Sequence, residues 1–265
     1  MDYRKPVEFG ENWSPSRYRV LPYFATEKEL FARSDVQQIL DVGCAAGWNM
    51  SRFVQYGRRP FGLDVAPERV RLAQKHGPVM IASGLALPVK DDALDLVYIQ
   101  HVLHHIGDVA QALTEVRRCL RAGGVLFLVE TVENNPLIRL GRKIHPVWLG
   151  DEVKARFDYT GLKETLVEAG FAVSESQQYS VLFWLWEVLP DQLPFMEKLT
   201  PFFVKIEQWL AQRWRGASAH CFIVAEVEKP AATAPALDNS VGLARPHGWR
   251  GQETGHSKPA ATGQA

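Results

Sequence analysis

The sequence of 265 residues is poor in cysteine and has no excess of charge of either sign. Its three cysteines, Cys44, Cys119 and Cys221, are scattered along the chain. This spacing matches neither a metal-binding cluster nor a disulfide framework, and it suits a reducing compartment. Lysine plus arginine and aspartate plus glutamate both number 30, so the basic excess typical of nucleic-acid-binding proteins is missing. We therefore expect neither a metal site nor a nucleic-acid partner.

Long apolar runs are missing too. The opening stretch, MDYRKPVEFGEN, has no apolar segment of the kind that a signal peptide contains. The run VLFWLWEVLP, at 181–190, has about half the length of a membrane-spanning helix, and it contains Glu187. These features predict a cytoplasmic protein without a membrane span, and they leave association with a membrane surface open.

Strand and helix patterns alternate from residue 35 to residue 229. Apolar strands are predicted at 38–42, 60–65, 78–83, 94–100, 125–131, 171–181 and 220–228. Helix signals fall between several of them, and this repetition predicts an α/β fold with a doubly wound, Rossmann-like, mostly parallel sheet. An N-terminal helical segment is predicted at 1–34. The stretch at 230–265, rich in Ala, Pro and Gly, has no periodic apolar face and is predicted to be a disordered tail.

Some local boundaries depend on single residues. Val54 is expected to face inward from the helix that follows the first strand. Asp108 is a good N-cap for a helix that Gly123-Gly124 would end. Thr160 is expected to cap the next helix along the chain.

The stretch ILDVGCAAGWNM, at 39–50, joins the first strand to a loop of small residues. Gly43 and Gly47 lack a Cβ atom, so a ligand can approach the backbone of this loop closely. Asp64 ends the second strand, where its carboxylate can accept hydrogen bonds from a ribose diol. These residues predict a nucleotide-type ligand at the carboxyl ends of the strands.

Two kinds of cofactor use such a site. A dinucleotide needs a pyrophosphate loop, G-x-G-x-x-G, and the run from Gly43 to Gly47 lacks that spacing. Asp41 is poorly placed beside a pyrophosphate and well placed beside a cation. S-adenosylmethionine carries a sulfonium and an ammonium group and no phosphate, so the charges favour this cofactor.

Four stretches then resemble one family. ILDVGCAAGWNM and GLDVAPERV resemble the first two motifs of class I S-adenosylmethionine-dependent methyltransferases. ALPVKDDALDLVYIQHVLHHIGD and LRAGGVLFLVE are similar to the next two, so the resemblance covers roughly 35–230. Within the class, the chain looks like the methyltransferases of type 11 and of ubiquinone biosynthesis. The resemblance implies S-adenosylmethionine as cofactor and a seven-stranded sheet whose last strand is inserted antiparallel.

The resemblance also implies a set of cofactor-binding residues: Asp41, Gly43, Cys44, Ala45, Gly47, Asp64, Val65, Ser83, Gly84, Leu85 and Gln100. Two of them depart from the family pattern. Ala45 replaces the middle glycine of the loop, so that turn is expected to be ordinary or slightly strained. Ser83 stands where many relatives carry an acidic residue that contacts the adenine amino group. Either its hydroxyl makes this contact more weakly, or the backbone near Gly84 and Leu85 makes it alone.

Three histidines lie in the stretch QHVLHHI, just after the fourth strand. His101 follows that strand directly, near the expected position of the reactive methyl group, and His105 resembles a frequent histidine of the family. Either could act as a general base for an acceptor hydroxyl. A structural or cofactor-lining role stays open for both.

Aromatic residues are concentrated in an insert at about 181–214, which with the segment after the fifth strand is expected to line the acceptor site. A helix capped by Thr200 would place Phe202 and Trp209 on one face. That face could pack on the core, line an apolar pocket or lie on a membrane surface. The expected reaction is methyl transfer to a small apolar acceptor, aromatic or lipid-like, at oxygen, nitrogen or carbon. Two alternatives stay open: an NAD(P)-dependent oxidoreductase and a non-catalytic protein that binds S-adenosylmethionine.

Overall fold

The predicted strands form a seven-stranded sheet in a computed structural model, which describes residues 22–136, 140, 152–181 and 196–228. The strands are β1 (Gln38–Val42), β2 (Arg59–Asp64), β3 (Val79–Ile81), β4 (Leu94–Gln100), β5 (Leu120–Thr131), β6 (Phe171–Tyr179) and β7 (His220–Val227). The helices are α1 (Tyr23–Ala32), α2 (Trp48–Gln55), α3 (Pro67–Ala73), α4 (Val109–Cys119), α5 (Tyr159–Glu168) and α6 (Met196–Arg213). The predicted tail at 230–265 and the first 21 residues lie outside the described residues.

The strand order is β3-β2-β1-β4-β5-β7-β6. Strands β1 to β5 pair in parallel, whereas β7 runs antiparallel to both β5 and β6. The expected Rossmann-like sheet with an antiparallel last strand is therefore confirmed. The order reverses between β1 and β4, and in such sheets a ligand binds at this reversal, beyond the carboxyl ends of the strands.

Apolar residues cover both faces of the sheet, which explains why the central strands are mostly apolar. One face packs on α4 and α5 and includes Val97, Ile99, Leu126, Leu113 and Leu162. The other face packs on α1 and α2 and includes Leu96, Phe127, Tyr23, Phe31 and Phe53. Successive residues of β4 and β5 alternate between the two faces, as side chains of a strand must.

A buried ion pair joins α1 to α2 beneath the second face. The fully buried Glu27 of α1 forms a salt bridge with Arg52 of α2. The hydroxyl of Tyr98 donates to Oε2 of Glu27 at 2.9 Å, and the guanidinium of Arg52 lies 4.2 Å from the ring centroid of Trp48. This cluster fixes the N-terminal helix to the helix that follows the glycine-containing loop. Val54 was expected to face inward from α2, and this prediction is wrong: Val54 is 48% exposed, whereas Arg52 is buried.

Three predicted boundaries were wrong. Gly123-Gly124 lies inside β5, because α4 already ends at Cys119 and the chain turns directly into the strand. Asp158, rather than Thr160, caps α5, because its carboxylate accepts hydrogen bonds from two backbone N–H groups of the first turn. Thr200 lies inside α6, which begins at Met196. The Asp108 cap of α4 is confirmed by its bond from the Gln111 N–H at 3.0 Å.

Candidate cofactor and acceptor site

The loop between β1 and α2 is the most sharply turned segment at the carboxyl edge of the sheet. Gly43, Ala45 and Gly47 all have a positive φ, of 70°, 46° and 81°. A Cβ atom on Gly43 would lie 2.4 Å from a methyl carbon of Val102, so this position requires glycine. Ala45 adopts the left-handed conformation without being glycine, which is the slight strain expected from the sequence. The buried Cys44 fills the space beneath the loop, and burial raises the pKa of its thiol, so it is not a nucleophile.

Asp64 holds this loop against β2. Its Oδ2 accepts a hydrogen bond from the Ala45 N–H at 3.0 Å, and its Oδ1 accepts one from the Ala66 N–H at 2.9 Å. Each carboxylate oxygen has a second lone pair. Asp64 can therefore shape the loop and still accept hydrogen bonds from ribose hydroxyls.

Exposed apolar side chains lie beside Asp64. Val65 follows it and is 65% exposed, and Ile81 at the end of β3 is 61% exposed. Leu85 is exposed as well, in a turn where the Ser83 hydroxyl accepts from the Leu85 N–H at 3.2 Å. An adenine ring could cover these side chains. The carboxylate of Asp64 as hydrogen-bond acceptor and the apolar side chains beside it therefore fit an adenosine moiety.

Asp41 lies fully buried at the end of β1. Among the described residues, neither of its carboxylate oxygens has a hydrogen-bond partner of acceptable geometry. Burial raises the pKa of Asp41 from 3.8 to about 7, against a lowering influence of the Asn49 side chain. A buried carboxylate of this kind is stabilised by a nearby cation, so the site favours a positively charged ligand over a pyrophosphate.

Beyond the reversal, β4 ends at Gln100, and His101 follows it directly. The side-chain amide of Gln100 lies 3.5 Å from the hydroxyl of Tyr23 in α1. His101 has a positive φ of 53°, and its N–H donates to the carbonyl of Val129 at 2.9 Å. This strained conformation turns the chain so that the imidazole lies at the carboxyl end of the neighbouring strand β5.

Glu130, near the end of β5, is the centre of a cluster that the sequence did not reveal. It is fully buried, and its Oε1 lies 2.6 Å from Nδ1 of His104 and 3.9 Å from Nδ1 of His101. Burial acts to raise its pKa, but the two histidines and the Thr131 N–H outweigh burial, so the pKa of Glu130 is lowered. The His101 imidazole, 36% exposed, thus lies between a buried carboxylate and the solvent.

Two further groups complete this cluster. The hydroxyl of Thr131 lies 3.4 Å from Nδ1 of His101. The ring of His220, at the start of the antiparallel strand β7, lies 5.2 Å from the His101 ring. The only sequence signal for Glu130 is an acidic residue that ends an otherwise apolar strand.

The two predicted catalytic histidines are in different surroundings. The Nδ1 atom of His105 lies 3.0 Å from the backbone carbonyl of Glu152, and its ring lies against His104, with centroids 4.0 Å apart. His101, rather than His105, therefore has the carboxylate of Glu130 beside it. In the part of the chain that the structure describes, no group of three or more His, Cys, Asp or Glu residues is arranged to hold a metal ion.

Of the three possibilities for the face of α6 that carries Phe202 and Trp209, packing on the core does not fit the structure. Phe202 and Trp209 are exposed, whereas Glu207, Leu210 and Ala211 are buried. Among the described residues, these two aromatic side chains are therefore not enclosed. Residues 182–195 of the aromatic insert, among them Trp184, lie outside the described residues. Within the described helices, none is long and apolar enough to cross a membrane.

Comparison with known proteins shows which proteins a part of this chain resembles. Residues 40–128 match the family described as methyltransferase domain. A demethylmenaquinone methyltransferase from Lactiplantibacillus plantarum is 35% identical over 123 residues, which cover 42% of this chain and 49% of that protein. A tRNA U34 carboxymethyltransferase from Cellvibrio japonicus is 35% identical over 138 residues, which cover 48% of this chain and 40% of that protein. The chain thus spans less than half the length of each of these curated relatives.

The fold has a close counterpart among solved structures. The crystal structure of an S-adenosylmethionine-dependent methyltransferase from Archaeoglobus fulgidus matches with a TM-score of 0.60 at 16% identity, covering 83% of this chain and 96% of that one. The strand order, the glycine-containing loop after β1 and the family match all indicate the same kind of domain. Residues 40–128 therefore resemble a methyltransferase domain, and the sheet has the Rossmann-like fold of the solved S-adenosylmethionine-dependent methyltransferase.

Proposed function

We propose that this chain transfers a methyl group from S-adenosylmethionine to a hydroxyl group of a small, largely apolar acceptor, with His101 as proton acceptor. The observation that carries the proposal is the position of His101. A strained backbone holds its imidazole at the end of β4, between the buried carboxylate of Glu130 and the solvent. An unprotonated amine acceptor would not need a base held in this way, whereas a hydroxyl becomes a good nucleophile as it loses its proton.

The cofactor would be held by the residues around the reversal of strand order. Asp64 accepts the ribose hydroxyls, and Val65, Ile81 and Leu85 cover the adenine ring. The loop from Gly43 to Gly47 approaches the methionine end. When bound, the cofactor supplies a methyl group that is already electrophilic, so the remaining work of the protein is to position the acceptor and take its proton.

His101 takes the proton of the acceptor hydroxyl at Nε2, the ring nitrogen that does not face Glu130. The imidazolium formed is stabilised by the Glu130 carboxylate, whose Oε1 lies 3.9 Å from Nδ1. The carboxylate is already ionised, because the pKa of Glu130 is lowered. A fixed negative charge in a dry environment strengthens this stabilisation.

The relatives leave the acceptor class open, since their names include both a quinone-type molecule and a tRNA. The equal numbers of acidic and basic residues in this chain favour the small molecule. The test is incubation with methyl-labelled S-adenosylmethionine and fractionated cell metabolites, followed by mass analysis of the labelled products. Label on an oxygen of an apolar compound supports the proposal, and label confined to nitrogen, carbon or tRNA contradicts it. Cofactor binding without any labelled product would favour a non-catalytic binding protein.

Replacing Asp64 with alanine should weaken S-adenosylmethionine binding by roughly tenfold to a hundredfold. The variant loses a charge-assisted hydrogen bond to the ribose, worth about 1.5–3 kcal/mol. It also loses the bond from Ala45 that shapes the loop. Isothermal titration calorimetry measures the change.

Asp158→Ala is the matched control for this variant. Asp158 also accepts two backbone N–H bonds, but it does so at the start of α5. It should lose a comparable amount of stability while keeping cofactor affinity. Equal affinity losses in the two variants would show that Asp64 acts only through folding.

Binding of S-adenosylmethionine should release a proton from Asp41 at pH 6. The pKa of Asp41 in the free protein is about 7, and a nearby cation would lower it, so affinity should rise with pH and level off above about 7. The folded-state pKa lies above the unfolded value, so the contribution of Asp41 to stability falls as the pH rises from 3.8 to about 7. Calorimetry in two buffers of different ionisation enthalpy measures the released proton, and Asp41→Asn should abolish it. If Asp41→Asn still releases a proton on binding, the proton comes from another group.

A further inference from the structure

The exposed side of α6 carries the largest aromatic side chains of the helix. Phe202 is 65% and Trp209 is 61% exposed, and Leu199 and Trp214 are exposed as well. The opposite side packs on Val181 through Leu210 and Ala211. Apolar area of this kind is costly to leave in water, and it commonly marks an interaction surface.

Cations alternate with the aromatic rings on this surface. Phe202, Lys205, Trp209 and Arg213 recur at spacings of three and four residues, so they lie along one stripe of the helix. Lys205 and Arg213 are exposed. The only acidic residue between 198 and 215 is Glu207, which is buried and accepts a hydrogen bond from the Val181 N–H. The stripe is therefore positive in a chain whose formal net charge is zero.

We infer that this stripe, together with Leu199 and Trp214, binds the surface of an anionic lipid bilayer. Tryptophan and phenylalanine rings insert at the boundary between headgroups and acyl chains, and lysine and arginine beside them reach the lipid phosphates. Charge complementarity selects anionic lipid. Nucleic acid fits less well. Its bases can stack on the rings of Phe202 and Trp209, but it has no apolar group that would bury Leu199.

The connection of α6 places this surface near the candidate acceptor site. Glu207 bonds to the backbone of Val181, and the neighbouring Ser180 carbonyl accepts from the Ala219 N–H at 3.0 Å. Ala219 directly precedes His220, whose ring lies beside His101. Membrane binding would thus bring the edge of the sheet that holds His101 close to lipid-dissolved acceptors. The docking itself does not depend on the reaction.

Vesicle co-sedimentation with the full chain tests the inference. Vesicles of phosphatidylcholine mixed with phosphatidylglycerol should bind the protein, and binding should weaken with added salt and on vesicles of phosphatidylcholine alone. The double variant Lys205→Gln, Arg213→Gln should weaken binding to the anionic vesicles about thirtyfold. Phe202→Ser with Trp209→Ser should weaken binding to both kinds of vesicle.

The controls are exposed residues elsewhere on the domain. Val167→Ser on α5 matches the loss of an exposed apolar side chain, and Lys28→Gln with Lys90→Gln matches the loss of two exposed cations. These variants should bind vesicles like the unmodified chain, and all variants should keep its melting temperature and cofactor affinity. The inference is overturned if the unmodified chain does not bind anionic vesicles, or if stripe and control variants bind alike. It is also overturned if the only effect of Phe202→Ser with Trp209→Ser is to dissociate a dimer. The same holds if the stripe variants lose binding to tRNA but keep binding to anionic vesicles.

Discussion

Replacing His101 with glutamine should lower the turnover of a hydroxyl acceptor by roughly a hundredfold to ten-thousandfold, the range in which general bases contribute. Glutamine keeps a polar side chain of similar length but cannot take up the proton. S-adenosylmethionine affinity should stay unchanged, because the residues proposed to hold the cofactor do not include His101. Single-turnover rates with methyl-labelled cofactor and the acceptor identified from the labelled products measure the effect.

His105→Gln is the matched control for this prediction. It changes a histidine in the same short stretch, but one whose ring contacts a backbone carbonyl and not the Glu130 carboxylate. Its turnover should stay within a few-fold of the unmodified chain. If His105→Gln loses as much activity as His101→Gln, the base is misassigned. If neither variant loses activity, the acceptor needs no base.

Glu130 is expected to act as a positioning residue in the same reaction. Glu130→Gln keeps the shape of the side chain and removes its charge, so the imidazolium of His101 loses its stabilising partner. The turnover number should fall while the KM for the acceptor changes little. A purely structural role would instead lower the melting temperature and leave the turnover of the folded fraction intact.

The residues proposed to hold the cofactor could be grouped from the sequence because they are close along the chain. Asp41, Gly43 and Gly47 lie in one short stretch, and Asp64 ends the next strand, so motif spacing alone brings them to one edge of the sheet. The Glu130 cluster could not be predicted in this way. His101, Glu130 and His220 come from three different strands, and only the order β4-β5-β7 brings them together.

The strands were predicted more accurately than the helix faces. Strands 38–42 and 94–100 were confirmed to the residue, because burial on both faces gives such strands a mostly apolar sequence. An apolar stripe on a helix normally marks the side that packs on the core. The aromatic stripe of α6 is exposed instead, so this rule gives the wrong side of the helix. The rule also fails at Arg52, a charged residue that would be expected on the exposed side of α2 but is buried against Glu27.

Replacing Arg52 with methionine should destabilise the protein by about 3–5 kcal/mol, since it leaves the carboxylate of Glu27 buried without its cation. The loss is large because Glu27 is fully buried and already costly to ionise. Burial raises its pKa even with Arg52 and the Tyr98 hydroxyl beside it. Urea unfolding followed by circular dichroism measures the change in the free energy of unfolding.

Two further variants separate the buried charge from simple loss of packing. The double variant Glu27→Leu, Arg52→Met replaces both charges with apolar groups, so it should recover most of the stability lost in Arg52→Met. Arg33→Met breaks the exposed pair of Arg33 with Asp35 and should cost no more than about 1 kcal/mol. If the double variant is less stable than Arg52→Met, the cost lies in packing against Trp48 and not in the unpaired carboxylate.

The same variants connect the N-terminal helix to cofactor binding. Arg52 lies on α2, which starts directly after Gly47, and Glu27 lies on α1. Breaking the pair should therefore loosen the loop that approaches the methionine end and weaken S-adenosylmethionine binding in the folded fraction. The double variant should restore this affinity along with stability. Affinity that stays unchanged in Arg52→Met would show that the loop is held by Asp64 and β2 alone.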